Sequence, residues 1–126
     1  MIIAIDFDGT IVEHEYPSVG RIRPFAFETL KALQSKNHQL ILWSHRSKDK
    51  LEEAVIFCRE HGLEFYAVNK NFPEEEWDIS ESRKILADIY IDDRNLGGII
   101  SWGEIYRMIC PEDNNSAKPA KSWWNS

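Results

Sequence analysis

The segment Ile2-Ile3-Ala4-Ile5-Asp6-Phe7-Asp8-Gly9-Thr10 constrains the chain more than any other. A short apolar run ends in two carboxylates two residues apart, followed at once by a glycine and a threonine. Such a run reads as a buried parallel strand, and strands of that kind deliver reactive groups at their carboxyl ends. With Asp6 at the last strand position and Asp8 in the turn, the two can flank one reacting group. Gly9 permits a tight turn whose backbone N–H groups face an anion. One carboxylate can attack while the other handles the proton. Asp-x-Asp-Gly also occurs in calcium loops, but an EF-hand needs a Glu at loop position 12, and that position counted from Asp6 is Pro17.

The rest of the chain alternates short β-type runs with longer helical patterns. Strands are expected at residues 2–6, 39–43, 65–68 and 87–91, and helices at 24–33, 48–61 and 99–109. In the first helix Pro24 lies near the first turn, and Phe25, Leu30 and Leu33 are apolar positions. In the second, Leu51, Ala54, Val55 and Cys58 share one face and Gly62 closes the C-terminus. Strands alternating with helices imply a parallel sheet with right-handed crossovers, hence an α/β, Rossmann-like three-layer sandwich. At 126 residues with 43 % hydrophobic content this is one domain. The core is expected over residues 1–110 and a polar tail over 111–126. The tail is rich in Asn, Ser, Lys and Pro, yet carries Trp123 and Trp124, which are costly in water unless they dock on this domain or on a second subunit. Residues 12–23, polar with Pro and Gly, form either a mobile flap over the carboxylate pair or an ordinary connecting loop.

Fifteen basic and 21 acidic residues give a formal charge of −6. An acidic chain without a basic stripe argues against nucleic-acid binding, while leaving room for a phosphorylated substrate beside a local cation. No apolar run is long enough to span a membrane. The N-terminus lacks the basic region of a signal peptide. Cys58 and Cys110 have no metal-type spacing and read as buried free thiols. A cytoplasmic protein is expected.

The fourth strand repeats the pattern of the first: Ala87-Asp88-Ile89-Tyr90-Ile91-Asp92-Asp93-Arg94-Asn95. Like charges side by side repel, and a divalent cation resolves that repulsion; ligands that are all oxygen suit Mg2+. Two acidic clusters, each at the end of a β-type run, therefore suggest one shared metal site. Asp88, inside the run, reads as structural. The second strand ends in Leu42-Trp43-Ser44-His45-Arg46. The Ser44 hydroxyl can bond a phosphoryl oxygen or cap the following helix, and Arg46 suits phosphate or lies on the surface. Lys84 precedes the fourth strand and Lys70 follows the third; either can offset charge at such a site, with Lys84 favoured.

Taken in order, Asp6/Asp8, Ser44, Lys84 and Asp92/Asp93 resemble the four motifs of the haloacid dehalogenase superfamily in its phosphatase form, over residues 2–98. The segment from Ser82 to Asn95 looks like that of its short, capless members. Only 33 residues separate Thr10 from Ser44 and 39 separate Ser44 from Lys84, which leaves no room for a cap domain. The resemblance implies that Asp6 is the nucleophile and Asp8 the general acid/base. It implies Mg2+ held by Asp6, the Asp8 backbone carbonyl and Asp92, with Asp93 assisting. Ser44, Lys84, Thr10 and Arg46 are the expected phosphate-binding residues. An acid at position 8 favours phosphoryl transfer over dehalogenation, since a halide leaves without a proton. Glu13, His14, Tyr16, Arg21, Arg23, Arg46 and Arg94 are candidate substrate contacts. An open site can be closed by a large substrate or by a second subunit of a homo-oligomer.

Two other classes compete. A signalling receiver domain would need an acceptor carboxylate after the third strand, where the chain reads Ala67-Val68-Asn69-Lys70. A phospho-ligand binding module would keep the site and lose turnover.

Overall fold

The fold was obtained as a computed structural model, which describes residues 1–70, 86–114 and 123. The chain runs β1 (Ile2–Ile5), α1 (Ala26–Ser35), β2 (Gln39–Leu42), α2 (Lys48–Glu60), β3 (Ala67–Val68), β4 (Ile89–Ile91) and α3 (Trp102–Ile109), followed by a 3-10 turn at Pro111–Asn114. The four strands form one sheet in the order β3-β2-β1-β4, and every pairing is parallel. This is the Rossmann-like α/β arrangement that the alternating pattern implied.

Apolar side chains cluster on both faces of the sheet, and the three described helices all join the larger cluster. Ile3 and Ile5 of β1 and Leu40 and Leu42 of β2 join Leu30 and Leu33 of α1, Ala54 and Cys58 of α2 and Ile105 of α3 in the larger cluster. The alternate strand residues Ala4, Ile41 and Ala67 form the smaller cluster on the other face, with Trp43 and Tyr90 against it. Successive strand side chains point to opposite faces, so a continuous apolar run places apolar residues on both.

Helix ends follow local chemistry. Past α2, Gly62 (φ 83°) lets its own N–H reach the Arg59 carbonyl at 2.9 Å and the Leu63 N–H reach that of Cys58 at 3.0 Å. These are the two bonds of a Schellman cap, as the glycine signalled. Asn37 (φ 68°) closes α1 in the same way. The helix starts differ from expectation. Phe25 has φ 65° and ψ 13°, so α1 begins at Ala26 rather than at Pro24. Phe25 is also not a core position: it is 38 % exposed, with its ring stacked on Trp123. α3 begins at Trp102 rather than near Ile99, because Ser101 is extended and its hydroxyl accepts the Glu104 N–H.

The polar stretch after β1 is a short hairpin. Val12 bridges Ile22 antiparallel, the Glu13 N–H donates to Arg21 at 2.7 Å, and the Arg23 N–H donates to Ile11 at 2.9 Å. Asp88 is structural, as expected, although it precedes β4: its carboxylate accepts the Ile2 N–H at 2.7 Å and its own N–H donates to the Ile2 carbonyl. The expected tail begins with order. Asp113 pairs with Lys36 at 3.3 Å and accepts the Tyr106 hydroxyl, and Trp123 packs on Tyr106 and Phe25. Trp124 lies outside the described residues. Cys58 and Cys110 are free and buried. Among the described residues no helix is long and apolar enough to cross a membrane.

Candidate functional site

The chain moves outward from β1 through β2 to β3, then returns to place β4 on the other side of β1. Strand order thus reverses between β1 and β4, and open α/β sheets bind ligands beyond the carboxyl ends of the strands at such a reversal. Asp6 follows β1, and Asp92 and Asp93 follow β4. The register Ile5 to Ile91 sets these ends side by side, and the Asp6 N–H continues the ladder to the Ile91 carbonyl at 3.0 Å. One carboxylate oxygen from each of Asp6, Asp92 and Asp93 lies within 4.8 Å of the other two.

Asp6 is buried, and its carboxyl pKa is pushed up to about 7. Burial is the main cause, followed by the Asp92 charge, with Asp93 adding to it; a Phe7 backbone hydrogen bond and the Thr10 hydroxyl act in the opposite sense. Three carboxylates crowded in this way are what a divalent cation neutralises, and an all-oxygen donor set suits Mg2+. The backbone is shaped for the crowding. A Cβ on Gly9 (φ 84°) would stand 2.1 Å from Oδ2 of Asp93, so only glycine lets that carboxylate approach the first turn.

Asp8 has a different setting. Its Oδ2 accepts Nε of Arg46 at 2.7 Å and its Oδ1 accepts Nη2 at 2.8 Å, a bidentate pair. The Arg46 side chain is 1 % exposed. Its remaining N–H groups go to backbone carbonyls: Nη1 to Pro17 and Lys50 at 3.3 Å each, and Nη2 also to Ser18 at 2.8 Å. The guanidinium carbon lies 5.2 Å from the Phe7 ring centroid and 5.1 Å from that of Tyr16. The Asp8 hydrogen bonds push the Arg46 pKa still higher, so the cation is permanent. Arg46 therefore ties Asp8 to the tip of the hairpin. All five of its donors are occupied, and its expected role as a direct phosphate ligand gives way to one of holding Asp8.

A cavity of about 240 Å3 opens over these groups. Asp6, Asp8 and Asp92 line it together with His14 and Tyr16 of the hairpin, His45 and Arg46 after β2, and Arg94 after β4. Of the other candidate contacts, Glu13, Arg21 and Arg23 do not line it. Thr10 is fully buried; its hydroxyl donates to Oδ2 of Asp6 at 3.1 Å and its N–H donates to the Phe7 carbonyl. It orients the nucleophile candidate, rather than facing a phosphate. Ser44 does not cap α2, whose N-cap is Ser47. The Ser44 hydroxyl accepts the Arg46 N–H at 3.0 Å, while Asn69 brackets its backbone, accepting from Ser44 N and donating to Ser44 O. Lys84 lies outside the described residues, and Lys70 does not line the cavity. Asn69 was missed in the sequence. Its signal is an asparagine directly after a strand, and it takes φ 53° here.

Fold and site define the class: a parallel α/β sheet with an acidic, metal-type cluster at its topological switch point. Among solved structures the chain is similar to a conserved protein from Bacteroides thetaiotaomicron, with 56 % identity and a TM-score of 0.82. The similarity covers 93 % of this chain and 98 % of that one, and the two belong to one protein family. No protein-family model and no curated protein matches the chain.

Proposed function

We propose that the protein is a Mg2+-dependent phosphatase of the haloacid dehalogenase type, which hydrolyses a phosphate monoester through an aspartyl-phosphate. The observation that carries this reading is the convergence of Asp6, Asp8 and Asp92 on one cavity at the carboxyl ends of β1 and β4. Asp6, Asp92 and Asp93 would hold the cation, whose charge offsets that of the phosphoryl oxygens.

Asp6 attacks phosphorus in line with the departing oxygen, and its carboxylate becomes the acyl phosphate. Thr10 fixes one oxygen of Asp6 and so turns the other toward the substrate. To act as the acid, Asp8 would have to take up a proton from solvent and turn one oxygen off Arg46; it then gives that proton to the leaving oxygen, and the resulting carboxylate takes one from the water that attacks phosphorus, which frees phosphate and restores Asp6. Both Asp8 oxygens accept from Arg46, which holds the carboxylate at the cavity wall.

That same tie favours a second reading. If Asp8 never leaves Arg46, the site is a phospho-ligand binding module with little turnover. Phosphate release from a panel of phosphorylated sugars, nucleotides and peptides with Mg2+ decides between the two. Release by the wild type that vanishes in Asp6→Asn supports the phosphatase. Mg2+-dependent binding of inorganic phosphate without release from any ester supports the module.

A further inference from the structure

We infer that the substrate is a small phosphate monoester carrying a second anionic group, bound by Arg94, His14 and His45 at the mouth of the cavity. The inference rests on the phosphatase reading and narrows its substrate class.

The cavity is polar in a directional sense. Asp6 is buried and Asp92 half-buried, and these carboxylates would take the cation and the reacting phosphoryl group, whereas His14, His45 and Arg94 are exposed. Arg46, the buried cation beside it, has every donor engaged within the protein. Among the described residues, the cavity's remaining basic side chains come from three separate segments: His14 from the hairpin, His45 after β2 and Arg94 after β4. None of the three side chains makes a hydrogen bond or ion pair among the described residues. Sequence makes that notable. Arg94 follows Asp92 and Asp93 directly, and His14 lies between Glu13 and Glu15, in a chain with 21 acidic residues against 15 basic ones. Arg94 uses only its backbone N–H on Asp92, at 2.9 Å. Basic groups that leave adjacent carboxylates unpaired and line a ligand cavity present their donors to whatever enters it.

Size limits the choice. About 240 Å3 is below the range of drug-sized ligand pockets. With the phosphoryl group at the carboxylates, a distal group held inside a cavity of that volume would lie a few bonds away. A planar guanidinium matches a carboxylate or a second phosphoryl group bidentately, and either imidazole can add a donor. Tyr16 also lines the cavity.

Phosphonates test this without turnover, because their carbon–phosphorus bond is not a phosphate ester. Binding of 3-phosphonopropionate, propane-1,3-bisphosphonate, 3-hydroxypropylphosphonate and inorganic phosphate is measured by calorimetry with excess Mg2+, for the wild type and Arg94→Ala. Arg94 is exposed, so its truncation leaves the fold in place. The wild type is expected to favour one of the two doubly anionic ligands over the hydroxyl analogue by about tenfold or more, the loss of one charge-assisted pair. Preference for the first assigns a carboxylate and for the second a phosphoryl group. The gap should close to within about threefold in Arg94→Ala, and the double variant His14→Ala/His45→Ala should narrow it in part. Equal binding of charged and hydroxyl ligands by the wild type overturns the inference and leaves the phosphatase reading standing. A loss of inorganic phosphate affinity in Arg94→Ala as large as that of the doubly anionic ligand also overturns it, since Arg94 would then serve the reacting phosphoryl group. No Mg2+-dependent binding of inorganic phosphate or any phosphonate contradicts both.

Discussion

Gly9 is the smallest residue in the site and the hardest to replace. Alanine there must adopt φ near 84° and also displace the Asp93 carboxylate, with its Oδ2 2.1 Å from the new Cβ. Gly9→Ala should weaken Mg2+ binding by about 10–100-fold, the range seen when a group supporting a metal ligand is lost; calorimetric titration with Mg2+ reads this directly. On the proposed mechanism Asp8→Asn removes the proton donor and should lower kcat by about 10²–10⁴-fold; it also leaves the buried Arg46 cation without its carboxylate, so the unfolding temperature should fall as well. Arg46→Ala strands Asp8 and three backbone carbonyls, so it should destabilise the fold by about 3–5 kcal/mol in denaturant titration as well as lowering kcat. A variant of Arg46 that loses activity at unchanged stability would show that the guanidinium serves chemistry alone.

The elements differ in how far local sequence determined them. β1 and β4 were legible because each is a continuous apolar run stopped by carboxylates, a pattern that needs no distant partner. The end of α2 was legible because Gly62 alone suffices for the cap. The start of α1 was not, because Phe25 takes a left-handed conformation and packs on Trp123, a residue near the other end of the chain that no local window contains. The same limit hid the role of Arg46. Its carboxylate partner and two of its carbonyl partners lie 28 to 38 residues away, so the sequence offered only a basic side chain near a strand end. Thr10 was expected among the phosphate-binding residues from the family resemblance, whereas the turn at Phe7 carries its hydroxyl inward to Asp6. At the start of α3 the cap is local: Ser101→Ala should cost about 1 kcal/mol, measurable as a lower midpoint in urea.

At the scale of the whole molecule, the acidic cluster should make stability depend on pH, and on Mg2+ if the proposed site binds it. The Asp6 carboxyl ordinarily titrates at 3.8 and does so at about 7 in the folded, metal-free protein. The folded state holds that proton more tightly than the unfolded state. Its contribution is therefore fully present below 3.8, is lost as pH rises toward about 7, and stays lost above it. The metal-free protein should melt at a lower temperature at pH 8 than at pH 5, Mg2+ should recover most of the difference at pH 8, and Asp6→Asn should flatten the profile. Scanning calorimetry over that range checks all three. A metal-free wild type whose melting temperature rises steadily from pH 5 to pH 8 would contradict the crowding assigned to Asp6.

The proposal that Asp6 is the nucleophile is tested most directly by incubating the protein with Mg2+ and a phosphate ester from the panel, quenching with acid, and reading the peptide that carries Asp6 by mass spectrometry. The expected result is one phosphoryl group on Asp6 in the wild type, more of it in Asp8→Asn, and none in Asp6→Asn. Phosphate release with no phosphoryl group on Asp6, or with the group on another residue, would contradict the covalent route.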